Sequence, residues 1–160
     1  MRLTTPRRDS SLANEIITHE FGHGVSNRLT GGPANADALN AWQSAGMGEG
    51  WSDFWALMFT QDPTDTKLAA YPQGTYVLGQ AANGPGIREE PYSFDFAINH
   101  HTLGDYNLSS WLHDAGELWC SALWDMNWLL INKYGYDQDL TTGYAPGGGR
   151  SLLRHLTAHG

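Results

Sequence analysis

Within Thr18-His19-Glu20-Phe21-Gly22-His23-Gly24, two histidines stand four residues apart and a glutamate directly follows the first. On a helix this spacing stacks His19 and His23 one turn apart on one face, so both imidazoles reach one metal ion. Glu20 lies about 100° round the helix, too far to be a third ligand but close enough to hold a water on that metal. That is the geometry of a zinc hydrolase. The H-E-x-x-H pattern alone is a moderate signal, and a third ligand has to be found for it.

A continuation of the H-x-x-G-x-x-H type fails, because the required places hold Ser26 and Leu29. The other source is a glutamate on a following helix. Met47-Gly48-Glu49-Gly50-Trp51-Ser52-Asp53 provides one, with 25 residues between His23 and Glu49 that include a Gly-rich turn. An antiparallel return brings Glu49 beside the histidines, and two His with one Glu leave the fourth tetrahedral position for water, as catalytic zinc requires. Asp53 follows Glu49 by four residues, on the same helix face, where it can accept the second ring N–H of a ligand histidine and orient the ring. Flanked by Trp51, Phe54 and Trp55, a carboxylate without a partner would be costly there.

These residues need helices to carry them. Pro6 makes residues 1–9 an extended lead-in. Asp9 and Ser10 are good N-cap types, and the pattern Leu12, Ile16, His19/Glu20/His23, Val25, Leu29 predicts a helix over 10–28, stopped by Thr30-Gly31-Gly32-Pro33. Residues 30–46 read as loop, with a turn of helix near 38–44. A buried helix follows at 47–61, apolar on most sides and ended by Asp62-Pro63. Residues 62–109 are rich in breakers and read as irregular loop with a short helical turn near 75–82; so long a loop commonly builds a site. Leu112, Ala115, Leu118/Trp119, Ala122/Leu123, Met126 and Leu129/Leu130 predict a third helix over 110–134, with Gly135 as its C-cap. A Gly-rich turn, Gly147-Gly148-Gly149, precedes a short amphipathic piece at 150–158. No stretch reads as a strand, so the fold class is mainly α.

Composition narrows the alternatives. With 160 residues, 41% of them apolar, and seven Trp, seven Tyr and five Phe, the chain can bury a core. A net charge of −8 argues against a nucleic-acid or anionic-membrane partner. Cys120 is the single cysteine, so there is no disulfide framework and any metal is held by His and carboxylate. Cys120 lies in an apolar helical run and reads as a buried, unreactive thiol. No apolar run approaches the roughly 18 residues of a transmembrane helix. The N-terminus has basic residues but no apolar run behind them, so no signal peptide is expected in this chain.

The blocks His19-Glu20-Phe21-Gly22-His23-Gly24-Val25-Ser26-Asn27-Arg28-Leu29-Thr30-Gly31-Gly32 and Gly46-Met47-Gly48-Glu49-Gly50-Trp51-Ser52-Asp53-Phe54 resemble the fungalysin group of zinc metalloendopeptidases. These are extracellular enzymes of fungi and some bacteria, distantly related to thermolysin. The resemblance extends to Thr4-Thr5-Pro6, Gly86-Ile87-Arg88, Pro91-Tyr92-Ser93 and His113-Asp114-Ala115-Gly116-Glu117-Leu118-Trp119, covering roughly residues 4 to 136. It implies one catalytic zinc on His19, His23 and Glu49, with Glu20 as the base. The resemblance says nothing of structural calcium. It also implies the helical half of a thermolysin-like catalytic domain, protein or peptide substrates, secretion, and an inhibitory propeptide removed on maturation. His113, at the first turn of the third helix, is the expected oxyanion donor, and Tyr92 a second candidate donor. Arg88 is the expected holder of a substrate carbonyl. His100, His101, His155 and His159 are assigned no role.

Two departures from the family pattern stand out. Glu89-Glu90 follow Arg88 where the family usually carries basic or aromatic residues, and residues 150–160 do not align with it. The chain reads as one partial catalytic domain, residues 1–160, without the propeptide and without the β-rich half on which substrate would lie. The expected function is therefore zinc-dependent endopeptidase, with a catalytically silent, zinc-binding remnant as the alternative.

Overall fold

A computed structural model of the chain describes residues 8–107 and 111–140. The expectations for residues 1–7, Ser110, Gly147–Gly149, the piece at 150–158, His155 and His159 lie outside the described residues. Three helices organise the rest: α1 (Asn14–Gly31), α2 (Trp42–Thr60) and α3 (Leu112–Tyr134). The described residues contain no strand, only an isolated antiparallel bridge in which Tyr71 and Tyr92 exchange backbone hydrogen bonds of 2.8 and 3.1 Å. The mainly α architecture with long irregular loops is what the sequence predicts.

The start of α1 differs from expectation. Asp9 caps a separate 310 turn over Ser10–Leu12, accepting from the Ser11 N–H, and the α-helix proper begins only after Ala13. Its buried face also differs. Instead of an apolar stripe, the residues turned inward are His19, Gly22 and Ser26, while Leu12, Phe21 and Leu29 are exposed. The reason is close packing. A Cβ built on Gly22 would stand 3.0 Å from the Ser52 Cα and 2.9 Å from its Oγ, so α1 rests on α2 through its smallest residue. Only a helix so close to its neighbour can put His19 within reach of α2 side chains.

Helix α2 starts five residues earlier than the sequence pattern suggests. Gly46, Gly48 and Gly50 each cost an isolated helix about 1 kcal/mol relative to alanine. Here tertiary packing overrides that preference. Cβ atoms added at Gly46 and Gly50 would meet the Ala115 Cβ at 2.9 Å and the Gly116 carbonyl at 2.6 Å, so these glycines allow α3 to cross α2 at short range. From Gly46 to Met58 the helix is buried almost all round, and its ends are Ala41 and Gln61.

Helix α3 is turned by about one residue from the predicted stripe. Gly116/Glu117, Cys120, Leu123/Trp124 and Asn127/Trp128 face inward, and Leu129 is exposed. The large rings decide the rotation. Trp124 and Trp128 pack with Phe54, Trp55, Leu57 and Met58 of α2 and with Tyr92 in one core, and Tyr71 meets Trp124 edge-on at 5.0 Å. Cys120 is fully buried in that core, as expected of an unreactive thiol. Gly135 caps the helix with φ +85°, donating its N–H to the Ile131 carbonyl.

Residues 61–107 wrap the α2–α3 pair as irregular chain. The segment expected to form a helical turn near 75–82 is a hydrogen-bonded turn, with Gln80 N–H on the Thr75 carbonyl, and a 310 turn forms at Leu103–Asp105. Gly86, at φ +79°, lies where a Cβ would meet the Gln73 carbonyl oxygen at 2.4 Å. This lets the chain pass tightly against the Gln73 backbone just before Arg88. Among the described residues no helix is long and apolar enough to cross a membrane.

The tightest of these crossings gives a first prediction. In Gly116→Ala the new Cβ would lie 2.5 Å from the Glu49 Cβ and 3.0 Å from the Gly46 carbonyl. Neither is the end of a flexible side chain, so the helices must separate. The expected loss is about 3 kcal/mol, the upper part of the range for overpacking, read by thermal unfolding.

Candidate metal centre

The crossings of α1, α2 and α3 bring three side chains to one point. His19 and His23, stacked one turn apart, turn their Nε2 atoms toward each other at 3.0 Å with the rings at 83°. Glu49 faces both from α2, with Oε2 3.3 Å from His19 Nε2 and Oε1 3.5 Å from His23 Nε2. One ligand atom from each of the three lies within 4.8 Å of the others, the only such group of three or more among the described residues. The donor set fits a single small cation. Two imidazole nitrogens and a carboxylate oxygen suit zinc, and Glu49 Oε2 is buried without a hydrogen bond although nitrogens of His19, His113 and Arg88 lie within 4 Å. A buried, unsatisfied carboxylate oxygen of this kind costs free energy until something binds it.

Asp53 holds the assembly from behind. Its Oδ1 accepts from His19 Nδ1 at 2.7 Å, which places the Nδ1 proton and leaves Nε2 turned toward Glu49. The same carboxylate takes two parallel bonds from Arg88, Nε to Oδ2 at 2.6 Å and Nη2 to Oδ1 at 2.8 Å. Tyr92 donates its hydroxyl to Oδ2 at 2.5 Å. All four lone-pair sites of a carboxylate that is only 2% exposed are thus used.

The charges respond accordingly. Burial pushes the Asp53 carboxyl up, but hydrogen bonds from His19 and Arg88 outweigh it and hold the group well below the usual carboxylate range. Burial lowers the His19 imidazole, yet Asp53 and Glu49 on either side more than offset this and raise it to about 9 without metal. Burial dominates at His23, whose pKa falls. Glu49 is lowered despite its burial, by His19, His23 and His113.

The front of the site is a cleft of about 110 Å³ bordered by His19, Glu20, Arg88 and His113, with Ile16 and Ile87 as apolar walls. Glu20 is exposed on α1 beside His19 and His23. His113, in the first turn of α3, points Nε2 at Glu49 Oε2 from 3.3 Å. Its other nitrogen, Nδ1, receives the Trp111 indole N–H at 2.6 Å. Because an indole nitrogen only donates, Nδ1 is the acceptor and a neutral His113 carries its proton on Nε2, toward the cleft. A larger cavity of about 640 Å³, walled by Phe94, Leu118 and Trp119, contains none of His19, His23 or Glu49. Cavity size does not locate the chemistry here.

Of the eight residues singled out in the sequence, His19, His23, Glu49, Glu20, Asp53 and His113 gather around this point. Tyr92 requires correction. It is fully buried behind Asp53 and its hydroxyl is used there, so it cannot donate to a substrate carbonyl in the cleft. Arg88 also commits its Nε and Nη2 to Asp53, although the residue still borders the cleft. Missed by the sequence reading were the number of donors converging on Asp53 and the role of Trp111. A signal for the first was present, since a carboxylate in so apolar a helix needs more than one histidine to satisfy it. Of the histidines given no role, His100 pairs with Glu90 at 2.9 Å and His101 with Glu117 at 3.3 Å.

A mainly helical scaffold that presents H-E-x-x-H on one helix and a facing glutamate on the next defines a metallopeptidase-type centre. A family profile described as fungalysin metallopeptidase (M36) matches residues 1–160, and the chain belongs to that family. The match includes residues 150–160, which corrects the expectation that this segment departs from the family. It is similar to extracellular metalloproteinase 1 of Phaeosphaeria nodorum, with 40% identity over 99% of this chain and 25% of the relative. Extracellular metalloproteinase MEP of Pyricularia oryzae is 46% identical over 82% of this chain and 20% of its own length. Extracellular metalloproteinase mep of Aspergillus fumigatus is 44% identical over the same shares. The chain thus spans a fifth to a quarter of the length of these relatives.

Proposed function

We propose that this chain is the metal-binding core of a zinc-dependent endopeptidase acting on extracellular proteins. The convergence of His19, His23 and Glu49 on one point, open on the side of Glu20 and His113, carries the reading. His19 Nε2, His23 Nε2 and a Glu49 oxygen hold the ion. When bound, zinc supplies Lewis acidity, lowering the pKa of a coordinated water and polarising a carbonyl. The Glu20 carboxylate takes the proton of the attacking water and delivers it to the leaving amine nitrogen. His113 offers its Nε2–H to the oxygen that becomes negative as the peptide carbonyl is attacked. Asp53 keeps His19 in the tautomer that leaves Nε2 free, and Arg88, through its remaining Nη1, meets a substrate carbonyl. Protein substrates and secretion accompany this reading, supported by the names of the relatives, and the family resemblance adds an inhibitory propeptide.

The test joins metal binding to turnover. Zinc titrated into the metal-stripped chain is expected to bind one to one, and casein hydrolysis to follow zinc occupancy. His23→Ala combined with Glu49→Ala should lower zinc affinity by about a thousandfold or more, given the share each ligand has in the total binding energy. Undiminished binding in that double variant overturns the ligand assignment. Stoichiometric zinc with no hydrolysis overturns the endopeptidase reading for this chain.

A further inference from the structure

Arg88 reaches Asp53 from an irregular loop, yet it makes two bonds of 2.6 and 2.8 Å to a carboxylate that orients a metal ligand. A long side chain on a loop holds such geometry only if the backbone beneath it is fixed. The backbone is tied on both sides. Ahead of Arg88, the Ile87 N–H donates to the Gln73 carbonyl at 2.9 Å, within the tight passage that Gly86 permits. Behind it, the Glu89 N–H is shared between the two carboxylate oxygens of Glu117, at 3.1 Å each.

Glu117 is an unusual residue in that place. It lies on the buried face of α3, 2% exposed, one turn after His113 and next to Gly116, which packs on Glu49. A buried carboxylate is expensive unless bonded, and its partners here are the Glu89 N–H and His101 Nε2 at 3.3 Å. Nothing in the chemistry of the cleft requires it.

We infer that Glu117 is a positioning residue for the metal centre. It fastens the Arg88 loop to α3, so that Arg88 is held on Asp53 and Asp53 in turn holds His19. The same helix therefore presents His113 to the cleft and, one turn on, sets the partner that orients a ligand histidine on α1. The effect on metal affinity rests on the proposed zinc site; the tether itself does not.

The tether is tested first on the metal-free chain. In the wild type the Arg88 Nε–H is expected as a slowly exchanging, downfield NMR signal, and the Glu89 amide as protected from hydrogen exchange. Glu117→Leu should abolish both, while Glu117→Gln, which keeps an acceptor oxygen, should restore both. Persistence of the Arg88 signal in a folded Glu117→Leu chain overturns the inference. Zinc affinity is then compared in a double-mutant cycle. Disturbing a group that orients a ligand typically costs ~10–100-fold, and Glu117→Leu should lose that much. In an Arg88→Ala background the same substitution should cost less than about threefold, because Glu117 acts through Arg88. Additive losses, which a general structural role would produce, overturn the inference. If Glu117→Leu does not fold, Glu117→Asp, one methylene short of the Glu89 amide, serves in both arms with the same outcomes. A chain that binds no zinc at all would fail the metal reading and leave the NMR arm to decide the tether.

Discussion

Asp53→Ala is expected to destabilise the chain by about 3–5 kcal/mol, the cost of leaving a buried charge without its partner. The substitution removes one carboxylate but strands three donors: the Arg88 side chain, 8% exposed, the fully buried Tyr92 hydroxyl and the His19 Nδ1–H. Domains of this size have about 5–15 kcal/mol of total stability, so the variant should be marginal at best. Urea unfolding of the metal-free protein measures the loss directly. A decrease below about 1 kcal/mol, with Arg88 still immobile, would show that the four bonds are not coupled to the fold.

Asp53 also sets an acid limit. Its folded pKa is depressed well below the unfolded value of 3.8, so its stabilisation is fully present above that value and is lost as pH falls below it. Wild-type stability should therefore decline through the acid range, and the Asp53→Asn variant should lose this part of the slope. His19 works in the opposite sense. Raised to about 9, it contributes fully below its unfolded value of 6.5, and the contribution is lost as pH rises through 9.

The second large effect concerns turnover. Glu20→Gln is expected to reduce casein hydrolysis by about 10²–10⁴-fold, the range for removing a positioned general base, while zinc still binds at one per chain. Glutamine has nearly the same shape and Glu20 is exposed, so the fold should be unchanged. The two readouts separate chemistry from assembly. Loss of zinc in Glu20→Gln would place the glutamate among the ligands, and unchanged hydrolysis would remove it from the proton path.

The candidate metal-binding group could be read from sequence alone because its parts are local in character. His19 and His23 share a helix face by spacing, and Glu49 and Asp53 share another, so only one contact between two helices remained to be supposed. The three helices were legible for the same reason, since periodicity and caps act over a few residues. Their facing was not. Close crossings at Gly22, Gly46, Gly50 and Gly116, together with the Trp124 and Trp128 rings on α3, set which sides of α1 and α3 turn inward, and no periodicity scale weights a glycine as a contact. The same packing explains why α2 begins ahead of Gly46, at Trp42, where the sequence pattern starts it only at 47.

What only the tertiary structure decided is the support of the centre. Arg88 and Tyr92 lie 35 and 39 residues from Asp53, and the Glu89 amide lies 28 residues from Glu117. Such partners are chosen by where an irregular loop crosses two packed helices. A loop has no period to read, and a buried carboxylate takes whichever donors the folded backbone brings to it. His19, His23 and Glu49 can therefore be recognised from residue type and spacing, whereas the groups that hold them in place follow from the path of the chain.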